Sequence, residues 1–245
     1  MLANASPRAT AVLLGLFVVL AIVSVLWTGH SARVRRDRMR TWARARAYTF
    51  DPKADKRFHK RLSDFPTFRQ GSARRALNTA TFTIDALGAT LPARLGDYTY
   101  TVAAGQGTIT YRLTYLLITL PMGDHPPTGL RPERLSDRLN AALGFNDINF
   151  EDAAFSKRYY VSSKDKRFAY DLLDPRTIEL LKSTPHPANI EIAHDRLLLT
   201  HGYKPGLNSA ESRWSPEQCD ERIALAQAFL EHWPTHLRVD EGATP

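Results

Sequence analysis

The residues of this chain with chemistry to offer are few and scattered. Cys219 is the single cysteine, so neither an intramolecular disulfide nor a multi-cysteine zinc site can be built. It falls in line with Ile223, Ala226, Leu230 and Trp233 at spacings of three and four, which reads as a buried position on a helix rather than a nucleophile. His232 and His236 have the i, i+4 spacing of metal ligands, but Pro234 lies between them and breaks the helix that would align them. His194–Asp195 and His201 offer a base and an orienting acid, yet no Gly-x-Ser-x-Gly elbow supplies a nucleophile. Gly105 and Gly107 lack the third glycine and the following helix of a dinucleotide loop, and read as a hairpin turn. No catalytic residue, metal ligand or cofactor is assigned from these patterns. An enzyme with a non-local site, drawing on His194, His201 and nearby acids, stays as an alternative.

The stretch from Lys157 to Arg167, "KRYYVSSKDKR", interleaves cations and aromatics as single-stranded nucleic-acid binders do. Its spacing also fits a half-buried strand with solvated lysines. Phe155, Tyr159 and Val161 share one face of a strand, with Lys157 marking an exposed start or a bulge. Ser162 or Ser163 then caps a helix in which Phe168 and Leu172, and Ala169 and Leu173, form an apolar stripe. Asp174 and Pro175 open a second helical segment. The segment is a packing unit.

Charge is concentrated in one place. The formal net charge is +8, and between Arg33 and Arg46 seven arginines stand against one acid, Asp37. The rest of the chain is nearly neutral, which argues against nucleic acid as a partner. Immediately before the arginines, Ala9 to Trp27 carries no charge over 19 positions. As a helix this run is about 28 Å long, matching a bilayer core, and Trp27 suits the interface. The expectation is a single-pass, uncleaved anchor in a bacterial inner membrane. The arginines after it place the C-terminal body in the cytoplasm. Trp27, Arg33, Arg35, Arg36, Arg38 and Arg40 are the expected membrane-interface contacts, with the bilayer and its anionic head groups as partners and an unidentified protein as a further one.

The elements behind this anchor are those of an α+β fold. Residues 1–30 form the tail and transmembrane helix, and 31–50 a basic juxtamembrane helix. Residues 51–122 hold a short polar helix opened by Asp51 and Pro52, then an antiparallel three-strand meander over 74–87, 97–104 and 108–120. In the first strand Ala76, Asn78, Ala80, Phe82 and Ile84 share a face opposite a threonine-rich one. Pro121 to Pro132, with four prolines and two glycines, reads as a linker. Residues 123–245 form an α+β half: a helix ending at Gly144, the packing unit, a hairpin turning at His194–Asp195, and a C-terminal helix. That helix opens with Ser215, Pro216 and Gln218 as a capping box. The two halves can be one domain.

The pattern "FEDAAFSKRYYVSSKDKRFAYDLLDP", followed by "IEIAHDRLLLT", resembles an uncharacterised bacterial family of membrane-anchored proteins with an α+β domain of unknown function. The matching residues are Phe155, Tyr159, Val161, Asp165, Phe168, Ala169, Leu172, Leu173 and Pro175. The resemblance implies an N-terminal hydrophobic segment and an α+β body, and carries over no activity. Together these readings predict a membrane-tethered, non-catalytic binding or scaffolding module, or alternatively a lipid or small-ligand binder using the threonine-rich meander face.

Overall fold

A computed structural model describes residues 7–105, 107–132, 146–201 and 213–238; the side chains of 7–12, 21, 22, 24, 25, 27, 28, 146 and 147 are not described. The chain opens with one long helix, α1 (Pro7–Ala45), in which no proline or glycine interrupts the basic segment. It ends where Ala47 takes a left-handed conformation. Every described apolar side chain from Leu13 to Leu26 is exposed. Among the described residues no helix is long and apolar enough to cross a membrane. The span read over Ala9 to Trp27 is therefore not carried by the structure, and Trp27 has no described side chain.

Behind α1, nine strands among the described residues form one antiparallel sheet: β1 (Thr49–Asp51), β2 (Ser72–Ala86), β3 (Ala89–Ala104), β4 (Gly107–Thr119), β5 (His125–Pro132), β6 (Asn146–Asp147), β7 (Tyr159–Ser163), β8 (Ala188–His194) and β9 (Arg196–His201). Their order is β1-β2-β3-β4-β9-β8-β5-β7-β6. The meander β2–β3–β4 lies next to the hairpin β9–β8, because β4 pairs with β9 from Tyr115–Thr200 to Thr119–Arg196. The sheet thus runs across the boundary drawn at residue 122.

Two core clusters cover the two faces. On one face α1 contributes Met39, Trp42 and Ala43, together with α5 (Lys166–Leu172), α6 (Pro175–Ser183) and α7 (Pro216–Glu231). On the other, α2 (Phe58–Arg61) and α3 (Pro66–Arg69) bring Phe58 and Phe68 against Tyr98 and Tyr115. Strand alternation assigns the faces: Leu116 and Ile118 look to the first cluster, Tyr115 and Leu117 to the second. Gly96 allows one close approach, since a Cβ there would lie 3.0 Å from both the Tyr115 hydroxyl and Thr79 Oγ1.

Four expectations are corrected. Asp51 closes strand β1 rather than opening a polar helix, and the helices after it are two short turns that bury their aromatics. Pro121 to Pro132 is not a linker: β5 lies inside the sheet between β8 and β7. Its prolines are tolerated because Pro126 and Pro127 fall in a register shift between His125 and Thr128, while Pro132 ends the strand. Ala76 does not share the face of Ala80, Phe82 and Ile84. A bulge between Leu77 and Ala80, with Asn78 at φ 53°, reverses the alternation and sends Ala76 to the opposite cluster. Finally, Phe155 belongs to a short helix, α4 (Ala153–Ser156), and stacks on Tyr159 at 5.5 Å instead of sharing its strand. The expected helix ending at Gly144 and most of the loop after Gly202 lie outside the described residues.

Candidate functional site: the clefts between α1 and α7

Helix α1 is held to the sheet by a buried polar clamp. Arg35 donates from Nε to Asp97 Oδ2 at 3.1 Å and from Nη2 to Asp97 Oδ1 at 2.7 Å. Its Nη1 donates to the Trp214 carbonyl at 2.6 Å. Asp97 also accepts from Asn78 Nδ2 at 3.0 Å and from Thr114 Oγ1 at 3.2 Å, and Thr114 Oγ1 accepts from the Trp214 amide at 3.0 Å. Burial opposes the charge on Arg35, but Asp97 outweighs it and the pKa is raised. Two charge-assisted bonds on one guanidinium edge fix orientation as well as distance. The clamp joins α1, β2, β3, β4 and the approach to α7.

Arg35 points inward on the stripe of Met39 and Trp42, with one edge of its guanidinium taken by Asp97. Arg33, Arg36 and Arg38 are exposed. Arg40 is half-buried, pairs with Asp37 at 3.2 Å and covers the Phe50 ring. One turn on, Trp42 Nε1 donates to Asp220 Oδ1 at 3.0 Å, and Arg46 pairs with the same carboxylate.

Between α1 and α7 this packing leaves two adjoining clefts. The one nearer the apolar run, about 440 Å³, is lined by His30, Val34, Arg35, Arg38, Arg213 and Trp214 among others. The residues lining it include no carboxylate. Arg38 and Arg213 make no ion pair among the described residues, and burial pushes the Arg213 pKa down. The second cleft, about 660 Å³, continues along Val34, Thr41, Trp42, Ala45 and Pro216, with Arg46 and Asp220 at its side. Val34, Arg38 and Pro216 line both. The arrangement offers an arginine-rich cleft on the side of the apolar run, followed by one in which Val34, Trp42, Ala45 and Pro216 stand among Asp37, Glu217 and Asp220.

The other candidates do not assemble. His194 lies 2.8 Å from Asp124 and 3.8 Å from Asp64, all exposed, while His201 pairs with Ala188 at the far end of the same hairpin. The cluster that an enzyme would draw from His194 and His201 is absent. Cys219 is fully buried, with its thiol pKa pushed up to about 12 by desolvation. Among the described residues no group of three His, Cys, Asp or Glu side chains could hold a metal ion. Over the threonine face of the meander lies a pocket of about 310 Å³ rimmed by Arg61, Arg94 and Arg196, rather than a deep apolar one. Ser162 and Ser163 sit in β7 and cap nothing; Asp165 caps α5 by accepting from the amides of Arg167 and Phe168. What the sequence reading missed is the inner half of the site, Arg213 and Trp214. Their only signal was a tryptophan one residue ahead of a capping box.

No family model matches the chain, and no curated protein matches it. Among solved structures it is similar to the crystal structure of the mycobacterial trehalose monomycolate transport factor A, TtfA. The TM-score is 0.55 at 14% identity, over 81% of this chain and 96% of that one. At that identity the likeness is one of fold.

Proposed function

We propose that this chain is a single-pass membrane protein whose α+β body, on the cytoplasmic side, binds an anionic lipid in the clefts between α1 and α7 and performs no catalysis. The observation that carries the reading is that Arg38 and Arg213 line one cleft whose own lining holds no carboxylate, and that neither makes an ion pair among the described residues, although Glu217 and Asp97 act on them from outside it. Nine large apolar side chains between Leu13 and Leu26 stand exposed, more than a soluble surface keeps without a partner. The uncharged run from Ala9 to Trp27 has the length of a bilayer core. A lipid head group entering the first cleft meets Arg38 and Arg213, and its chains can follow Val34, Trp42 and Ala45. The fold neighbour is named as a transport factor for a lipid, trehalose monomycolate, which supports a lipid-handling role of the same broad kind. The resemblance to a membrane-anchored family is consistent with it.

The test is lipid retention. The full chain, purified in mild detergent, should keep anionic lipid through washing, and an Arg38→Gln, Arg213→Gln variant should lose it. Retention of no lipid, or of the same lipids by the variant, would overturn the reading.

A further inference from the structure

The face of the sheet turned away from α1 carries a second group of polar side chains that the clefts do not use. Leu130, Val161, Ile190 and Ile192 look to the first core cluster, so Arg131, Ser162 and Glu191 look to the opposite face. Register aligns Glu191 with Gly129 and Gly129 with Ser162, and it aligns Arg131 with Tyr160. Gly129 brings no side chain between Glu191 and Ser162. Arg131 is 4% exposed, Glu191 5% and Ser162 0%.

These buried groups are only partly satisfied. Glu191 Oε1 accepts from Asn189 Nδ2 at 2.9 Å and from Thr67 Oγ1. Glu191 Oε2, Ser162 Oγ and both Nε and Nη2 of Arg131 have no hydrogen-bond partner among the described residues. The Nε–Nη2 edge is the side of a guanidinium that presents two parallel donors to two oxygens on one centre. In Arg35 that same edge is filled by Asp97. In Arg131 it is empty, while the Tyr160 ring, 5.2 Å away, packs on the guanidinium. Glu191 is the nearby acid whose charge acts on Arg131, yet neither Nε nor Nη2 hydrogen-bonds to it, and a buried cation without such bonds is costly. The open fork matches an anion that offers two oxygens in the guanidinium plane.

We propose that Arg131 and Ser162 form a binding site for a small oxyanion, a carboxylate or a phosphate monoester, with the Nε–Nη2 fork on two of its oxygens and the Ser162 hydroxyl donating to it. Glu191 supports this chemistry. Its burial raises its pKa despite the nearby Arg131 charge, and in the protonated state its Oε2 becomes a third donor. The site is separate from the clefts along α1 and does not depend on them.

Binding of acetate and of inorganic phosphate to the full chain in detergent, against chloride at equal ionic strength, tests the site by calorimetry. The wild type should take up at least one of the two oxyanions saturably. Arg131→Lys keeps the charge but loses the fork, and should weaken binding at least tenfold. Ser162→Ala, the milder change, should weaken it severalfold. Arg167→Gln, an exposed arginine outside this site and outside the arginine-rimmed pocket, should leave it unchanged. Which anion binds separates a carboxylate ligand from a phosphorylated one. No saturable uptake, or equal affinity in Arg131→Lys and Ser162→Ala, would overturn the proposal.

Discussion

Arg35 and Asp97, 62 residues apart in sequence, meet through two hydrogen bonds on one guanidinium edge, with Asp97 2% exposed. The contact ties the basic helix to the third strand of the sheet. A flexible linker would let the body swing beneath an anchor; this clamp holds the clefts at a fixed height along α1. Removing one partner of such a pair leaves the other buried and unpaired. Asp97→Asn should therefore destabilise the body by about 3–5 kcal/mol. Arg35→Met, which also loses the Trp214 contact, should loosen α1 from the sheet. Urea unfolding followed by tryptophan fluorescence measures both. Unfolding of Asp97→Asn at the parental midpoint would mean that the clamp contributes nothing.

How much of this was legible depends on whether the signal was local. The C-terminal helix was, because Ser215 and Gln218 complete their capping box and Pro216 sits in the first turn. So was the start of α6, where Asp174 accepts from the Thr177 amide at 2.8 Å. The hairpin at Gly105, with φ 57°, follows from glycine's freedom in that region. What failed depended on partners far away. Arg35 looked like one more arginine in a basic run; its place on the Met39–Trp42 stripe has meaning only once Asp97 faces it. β5 was hidden by proline, since a strand that needs a register shift to exist leaves a loop-like composition. Ser162 and Ser163 stood three and two residues ahead of Asp165, close enough to pass for its cap. Asn78 gave no hint that it would reverse the face of its strand.

Orientation is the first consequence of the proposed anchor. A phosphatase active only in the periplasm, fused after Pro245, should be inactive, while a fluorescent protein that folds in the cytoplasm should glow there. This follows from seven arginines on the C-terminal side of the apolar run against Arg8 before it. The reverse pattern would place the body outside.

Glu191 gives a pH dependence with a defined sign. Burial raises its pKa in the folded chain. The folded state then holds the proton more tightly than the unfolded one. The resulting stabilisation is complete below the ordinary carboxylate range and is lost as pH rises through the raised value. Glu191→Gln stays neutral throughout. Its stability relative to the parent should match at low pH and exceed it increasingly as pH rises. Denaturant midpoints for both proteins, from about pH 4 to about pH 8, span the ordinary carboxylate pKa and values well above it. Parallel profiles would show that Glu191 does not titrate differently on folding.

Cys219 should behave as a core residue. With no exposure and a pKa near 12, its thiol should not react with an aromatic disulfide reagent in the native protein, and should react fully in denaturant. Rapid labelling of the folded chain would contradict its burial under α1.

Phe168 tests the packing unit. It lies on the buried side of α5, with its ring 5.5 Å from that of His125 on β5 and 6.3 Å from Trp233 after α7. It is 6% exposed and so joins three elements that meet only in the folded chain. Truncating such an aromatic removes its burial and leaves a cavity, so Phe168→Ala should cost about 3–5 kcal/mol. Asp165 holds the same helix by accepting from the amides of Arg167 at 2.8 Å and Phe168 at 3.1 Å. Losing that cap through Asp165→Ala should cost only about 1 kcal/mol. Ser163 is tied to Thr128 at 2.7 Å and accepts from the Asp165 amide at 3.1 Å, so its role is to register β7 and place the cap. Urea unfolding of the variants in the full chain ranks them: Phe168→Ala well below Asp165→Ala, and Asp165→Ala below the parent. If Phe168→Ala unfolds with the parent, the three elements are not held through that ring, and the unit between β5, α5 and α7 is not the core this structure describes.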